Sequence, residues 1–264
     1  MSDETSSYHY QERFTAFIDI LGFTELIGRT ATTPPEMALE NIVTALDIPR
    51  PAKKGQMLIG NVGDISKSDH RIAQFSDSLI ISTENTAAGL LHLVNHAERI
   101  AFSFLKLGFM CRGGISKGLL YHEENIAFGP AMIEAYHLES KKAQYPRIIL
   151  SKDVEDFVDG MNGGEGIVIR RMVKEYQGCL MVHVLRPLVF RLDMDGKGGE
   201  PEMLFLTIKS RLGHEQKRLK DDQKELEKVL WFQEYFNEHV HADPAKIFQA
   251  VVSRSDRAKR NPTR

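Results

Sequence analysis

Cysteine is scarce in this chain of 264 residues: Cys111 and Cys179 are the only two, far apart and each in an apolar, strand-like stretch. They form no zinc pattern, and a small buried thiol packs well as a hydrophobe, so they carry no assigned chemistry. An excess of either charge is lacking too. Lys and Arg number 34 against 36 Asp and Glu, a formal net charge of −2, which gives no reason to propose nucleic-acid or membrane binding. No apolar run is long enough to cross a bilayer and no signal-peptide pattern is present, so a cytoplasmic location is expected. The ten histidines are scattered. His92 and His96 are the only pair at helical ligand spacing, and with no third ligand nearby in sequence they read as helix surface. There is no internal repeat and no low-complexity segment. What remains is ordinary for a soluble globular protein, 42% hydrophobic and 27% charged, and long enough for one large domain or a domain with an extension.

Against that background one stretch stands out, Phe14-Thr15-Ala16-Phe17-Ile18-Asp19-Ile20-Leu21-Gly22-Phe23-Thr24. An apolar strand of this kind is normally interior, and an ionised carboxylate at its end is costly unless it is paired or binds a metal. The following Gly22-Phe23-Thr24-Glu25 presents backbone N–H groups at the start of a predicted helix, a natural seat for phosphate. A second carboxylate, Asp77, lies in Arg71-Ile72-Ala73-Gln74-Phe75-Ser76-Asp77-Ser78-Leu79-Ile80-Ile81-Ser82, which reads as two β-segments around a tight turn. If this hairpin lies beside the first strand, Asp19 and Asp77 face each other across a gap suited to an oxygen-seeking divalent cation. Taken singly, Asp19 reads equally well as a helix cap and Asp77 as a turn residue.

The rest of the chain orders itself around these motifs. Pro34-Pro35-Glu36 starts a predicted helix to about Leu46, residues 49 to 70 read as a loop, and Glu84 to Leu107 as a long amphipathic helix ended by Gly108. Phe109 to Ser116 reads as a strand, Ile126 to Lys142 as a turn and helix, and Arg147 to Leu150, Gly166 to Val173 and Leu180 to Leu185 as further strands. The β-α-β-β-α-β order is that of split, ferredoxin-like α+β folds. From Glu202 to His241 apolar residues recur at helical spacing, Lys217 to Leu226 reads as a solvated helix face, and Trp231, Phe232, Tyr235 and Phe236 form the part expected to dock on the preceding domain. Arg254, Arg257, Lys259, Arg260 and Arg264 make a basic tail that reads as disordered and solubilising.

Asp19-Ile20-Leu21-Gly22-Phe23-Thr24 resembles the first metal motif of class III nucleotidyl cyclases, and Phe75-Ser76-Asp77 their second metal turn. Cys111-Arg112-Gly113-Gly114-Ile115-Ser116-Lys117-Gly118 is similar to the core strand that follows, and the stretches Gly129 to Glu139 and Pro146 to Ser151 fall where that family has its substrate-facing helix and next strand. Four motifs in order, over residues 12 to 187, are more specific than any one. The resemblance implies an α+β, ferredoxin-like cyclase domain at residues 1–190, an antiparallel sheet covered by helices, followed by a helical extension at 191–264. The departures narrow it. The two purine-reading positions hold Ala73 and Ile126, whose side chains neither donate nor accept a hydrogen bond, and the positions of the usual asparagine and arginine hold Ile133 and His137. The spelling of these motifs resembles the pyrimidine cyclases of the Pycsar antiphage system.

That resemblance implies conversion of UTP, or less expectedly CTP, to a 3′,5′-cyclic nucleotide and pyrophosphate, the product being read by a separate effector protein. It implies two divalent cations per site, Mn2+ or Mg2+, held by Asp19 and Asp77 with the Ile20 carbonyl, and a phosphate cradle at Leu21, Gly22, Phe23 and Thr24. Arg112 is a candidate phosphate or base contact, equally a partner for a carboxylate; Arg170, Arg171 and Lys174 are weaker phosphate candidates, and His137 stands where the family has its arginine. The family's site forms between two subunits, so a twofold homodimer is expected. Two other readings remain open: a purine cyclase with unusual base contacts, and a catalytically silent nucleotide sensor.

Overall fold

A computed structural model describes residues 8–30, 36–47, 69–195 and 200–240. Pro34, Pro35, the segment 49–68 and the basic tail lie outside the described residues. The chain divides into two compact units, Met1–Phe104 with Phe109–His183, and Leu105–Gly108 with Val184–Arg264.

The first unit is built on a sheet of eight strands among the described residues: β1 (Gln11–Ile20), β2 (Arg71–Phe75), β3 (Ser78–Glu84), β4 (Cys111–Glu123), β5 (Ile126–Phe128), β6 (Ile148–Leu150), β7 (Val173–Tyr176) and β8 (Cys179–Val182). Their order is β2-β3-β1-β4-β6-β8-β7, with β5 paired to β4. β1 runs antiparallel to both β3 and β4, so the two strands joined by helix α3 (Ala87–Leu107) are split by β1, the arrangement expected of this α+β fold. One pairing departs from an all-antiparallel sheet: β4 and β6 are parallel. They are joined by α4 (Pro130–His137) and a π-helical turn, Leu138–Ala143, a crossover long enough to permit parallel pairing.

β1 lies inside the sheet between β3 and β4, and its residues from Arg13 to Ile18 are buried on both faces. α3 turns Leu90, Leu93, Val94, Ala97, Ile100, Ala101 and Phe104 to the interior at helical spacing, and begins at Ala87 rather than Glu84, which ends β3. α4 packs on β4 through an alternating set. Gly114 meets Leu138 and Ala135, the Ser116 hydroxyl donates to the Ala131 carbonyl at 2.6 Å, and Gly118 lies against Ala131. Three small residues two apart thus make a groove for the helix.

The stretch Gly166 to Val173 corrects the sequence reading. It forms helix α6 (Gly164–Met172), not a strand, with β7 beginning only at Val173. Short apolar runs fit either state. Here Gly166, Ile169 and Met172, three apart, are the buried positions, and Arg170 closes the helix by donating to the Val158 carbonyl at 2.8 Å and the Met161 carbonyl at 3.1 Å. Arg170 is therefore a structural tie. Helix α5 (Lys152–Asp159) precedes it, capped by Ser151 and placing Phe157 edge-on to Phe14 at 5.0 Å.

The second unit contains α7 (Arg186–Asp195), α8 (Glu200–Arg218) and α9 (Gln223–His239). Phe205 stacks on Phe236 at 5.4 Å, and Trp231 on Tyr235 at 5.7 Å. Lys217 to Leu226 is not one solvated helix face. The chain breaks between Leu219 and Asp222, Leu219 is buried, and the Asp222 side chain caps α9 by accepting from the Glu225 amide at 3.2 Å.

A polar network lies at the Arg13 end of β1. The Arg13 guanidinium donates to Ser82 Oγ at 3.0 Å and to Asp69 Oδ2 at 2.5 Å, and Ser82 Oγ meets His122 Nδ1 at 2.8 Å. Burial, with the charges of Arg13 and Arg71 nearby, lowers the His122 pKa to about 4. A histidine shifted below its ordinary value of about 6.5 binds a proton more readily unfolded than folded, so its contribution to stability is complete above that value and is lost as pH falls toward 4. Thermal unfolding at pH 7.0, 5.5 and 4.5 is expected to show a smaller fall in Tm for His122→Gln than for the wild type. Equal slopes would contradict the assignment.

Candidate active site

The end of β1 opposite the Arg13 network carries Asp19. Cross-strand pairing sets it beside Ser78 of β3 on one side and Arg112 of β4 on the other. The Ser78 hydroxyl donates to Asp19 Oδ1 at 3.1 Å, and the next backbone link, from the Ile20 amide to the Asp77 carbonyl at 3.3 Å, ties the end of β1 to the β2–β3 turn. Asp77 is thus carried by a two-residue turn bonded to the strand that carries Asp19. Ser76, the other turn residue, has φ +54, a left-handed conformation that a small polar residue accepts in a tight turn. Asp19 and Asp77 are both half-buried.

After Asp19 the chain turns through Gly22 at φ +73 into α1 (Phe23–Thr30). The first N–H groups of a helix have no partner within it, so Gly22, Phe23 and Thr24 form a donor-lined start. Leu21 does not join them. Its amide donates to the Met110 carbonyl at 2.9 Å, closing β1 onto the residue before β4. Of the four residues expected to cradle phosphate, Leu21 thus has its amide committed to the sheet.

Arg112 resolves toward the carboxylate: its Nε donates to Oε1 of Glu139, which is buried in the π-helical turn after α4. The pair ties β4 to that turn, and Arg112 is the β4 residue opposite Asp19 in the register. His137 and Ile133 lie four apart on α4, with Ile133 and Tyr136 exposed and Tyr136 edge-on to Phe17 at 5.5 Å. Ala73 is buried in β2 and Ile126 is exposed in β5, so these two positions share neither strand nor burial. Cys111, next to Arg112, is fully buried; burial, with the Asp19 charge adding to it, pushes its thiol up to about 12 and leaves it inert.

His96 bonds His70 through their ring nitrogens at 2.7 Å, a contact between α3 and the residue before β2 that helical spacing does not reveal. Among the described residues no group of three or more His, Cys, Asp or Glu is placed to hold a metal ion. Asp19 and Asp77 bring two carboxylates, hard oxygen donors, onto adjoining bonded segments. That set suits Mg2+ or Mn2+, which keep several waters and take further oxygens from substrate phosphates rather than needing a full protein cage.

No helix of the described residues is long and apolar enough to cross a membrane. No family model and no curated protein matches the chain. Among solved structures it is similar to the guanylyl cyclase Cya2, at 16% identity over 66% of this chain and 91% of that one, with a TM-score of 0.38. It is also similar to the catalytic core of a rhodopsin-guanylyl cyclase with converted specificity in complex with ATPalphaS, at 16% identity, 67% and 98% coverage and a TM-score of 0.37. A third likeness is to an adenylate/guanylate cyclase/hydrolase from Silicibacter pomeroyi, at 16% identity, 65% and 95% coverage and a TM-score of 0.32.

Proposed function

We propose that this protein is a pyrimidine nucleotide cyclase, converting UTP, or less favourably CTP, to the 3′,5′-cyclic nucleotide and pyrophosphate as a signal in antiphage defence. The observation that carries the reading is the backbone bond from Ile20 to Asp77, which sets the two motif carboxylates on adjoining, bonded segments at one end of the sheet. In this reaction the ribose 3′ oxygen forms a bond to the α-phosphorus, the bond to the β-phosphate oxygen breaks, and the 3′ proton is released. The protein's part is to hold nucleophile and leaving group in line and to balance charge on the phosphates. Divalent cations, when bound, would supply Lewis-acid stabilisation of the phosphates and would lower the pKa of the 3′ hydroxyl. Asp19, Asp77 and the Ile20 carbonyl would hold them, and the amides of Gly22, Phe23 and Thr24 would orient the terminal phosphates. Arg112, opposite Asp19 in the β1–β4 register, is held by Glu139 and ties β4 to the turn after α4. Ala73 and Ile126 offer no side-chain hydrogen bond to a purine, which supports a pyrimidine substrate. The exposed Ile133 and Tyr136 form an apolar face that a second copy covers in a twofold dimer, bringing its α4 and His137 to the site.

The test is incubation of the purified chain with UTP, CTP, ATP and GTP together and Mn2+, with mass spectrometry of the products. Cyclic UMP as the main product is expected, and cyclic CMP would change only the base. Cyclic AMP or GMP would replace the reading with a purine cyclase. The positions of Ile133 and His137 favour a second reading, a silent sensor. It predicts nucleotide binding with no cyclic product and no pyrophosphate.

A further inference from the structure

Four strands contribute one side chain each to a single row at the candidate site. Phe75 pairs with Ser78, Ser78 with Asp19, and Asp19 with Arg112. Directly opposed residues in a sheet share a face, so the row runs unbroken across β2, β3, β1 and β4. Within it the Ser78 hydroxyl donates to Asp19 Oδ1 at 3.1 Å. Asp19 and Ser78 are also the last pair in the β1–β3 register, the point at which the ladder stops fixing side chains by packing on both sides. A carboxylate at a strand end has several rotamers open to it, and binding a cation requires it to settle in one. A hydroxyl from the neighbouring strand narrows that choice beforehand.

We propose that Ser78 is a positioning residue for cation binding: its hydroxyl pre-orients the Asp19 carboxylate, so that a divalent ion meets a ligand already in place. The inference rests on the reading of Asp19 as a cation ligand. It gives a reason for the small hydroxyl residue directly after the Asp77 turn, a place where any strand former would serve pairing alone. Threonine keeps the donor and suits a strand; alanine keeps the backbone and the space and loses the donor.

Mn2+ alone is the probe. Free Mn2+ is measured by electron paramagnetic resonance during titration of the full chain as wild type, Ser78→Ala, Ser78→Thr and Asp19→Asn, with thermal unfolding recorded to confirm that each is folded. Loss of the pre-orienting hydroxyl is expected to weaken Mn2+ binding in Ser78→Ala by roughly threefold to tenfold, the size of an ordinary net hydrogen bond. Ser78→Thr is expected to bind within about twofold of wild type by the same criterion, and Asp19→Asn to lose the site. A merely structural role for Ser78 would shift unfolding and leave Mn2+ affinity unchanged. Wild-type affinity in Ser78→Ala, with loss in Asp19→Asn, would overturn the positioning role and leave the cation reading standing. Wild-type affinity in Asp19→Asn, or no Mn2+ binding by the wild type, would overturn the cation reading and the inference with it.

Discussion

Replacing Asp77 by alanine is expected to lower cyclic-nucleotide formation by about three orders of magnitude while leaving the protein folded, and Asp19→Ala to do the same. A thousandfold loss corresponds to about 4 kcal/mol of transition-state stabilisation, within the several kcal/mol supplied by a cation polarising a phosphoryl oxygen. Neither carboxylate holds the fold together. Asp77 sits in a two-residue turn whose backbone bond to Ile20 is made by its carbonyl, which alanine retains. Asp19 is the next-to-last residue of β1, half-buried after the buried run from Arg13 to Ile18. Stability and activity are therefore expected to part company. Initial rates with Mn2+ beside circular dichroism melts would show it. Activity within tenfold of wild type in either variant would remove that carboxylate from the site, whatever the product. Asp19→Asn separates charge from shape, because its amide oxygen still accepts from Ser78. It is expected to melt like the wild type and to be as inactive as the alanine variant.

The second large effect concerns Gly114. A Cβ there would lie 2.4 Å from the Leu138 Cβ and 2.5 Å from the Ala135 carbonyl oxygen. Both neighbours belong to one continuous stretch, α4 and the π-helical turn that follows, so relief requires a backbone shift and not a rotamer change. Overpacking of this kind costs about 1–3 kcal/mol and more when main chain must move. Gly114→Ala is expected to lower Tm by several degrees and Gly114→Val to prevent accumulation of folded protein. The displacement also reaches Glu139, which follows Leu138, and through it Arg112. Gly114→Ala is thus expected to lose activity at a temperature where it remains folded. Unchanged melting of Gly114→Ala would show that the helix has room the structure does not display.

Much of this architecture is legible from local pattern. The apolar run that carries Asp19, the polar turn at Ser76-Asp77 and the amphipathic helix ending at Leu107 follow from residue spacing, because a strand buried on both faces and a one-sided helix leave different periods in the sequence. The alternation Gly114, Ser116, Gly118 carried the packing of α4 in plain sight, as three small residues on one face of a strand.

The failures share a cause. Gly166 to Val173 reads as a strand because its apolar residues suit either state; it is helical because burial at Gly166, Ile169 and Met172 and the ties made by Arg170 favour the threefold spacing. The pairs Arg112 with Glu139, His70 with His96 and the Leu21 amide with Met110 join residues between 26 and 89 positions apart, and nothing in either local segment names its partner. By itself the sequence determined which segments become elements, where the two carboxylates lie along the chain, and that positions 73 and 126 carry side chains unable to hydrogen-bond. Only the tertiary structure decided which strands adjoin, that Ser78 and Arg112 flank Asp19, and which donors remain for a ligand. Periodicity is set by neighbours along the chain, whereas hydrogen-bond satisfaction is settled between groups that meet only once the sheet is formed.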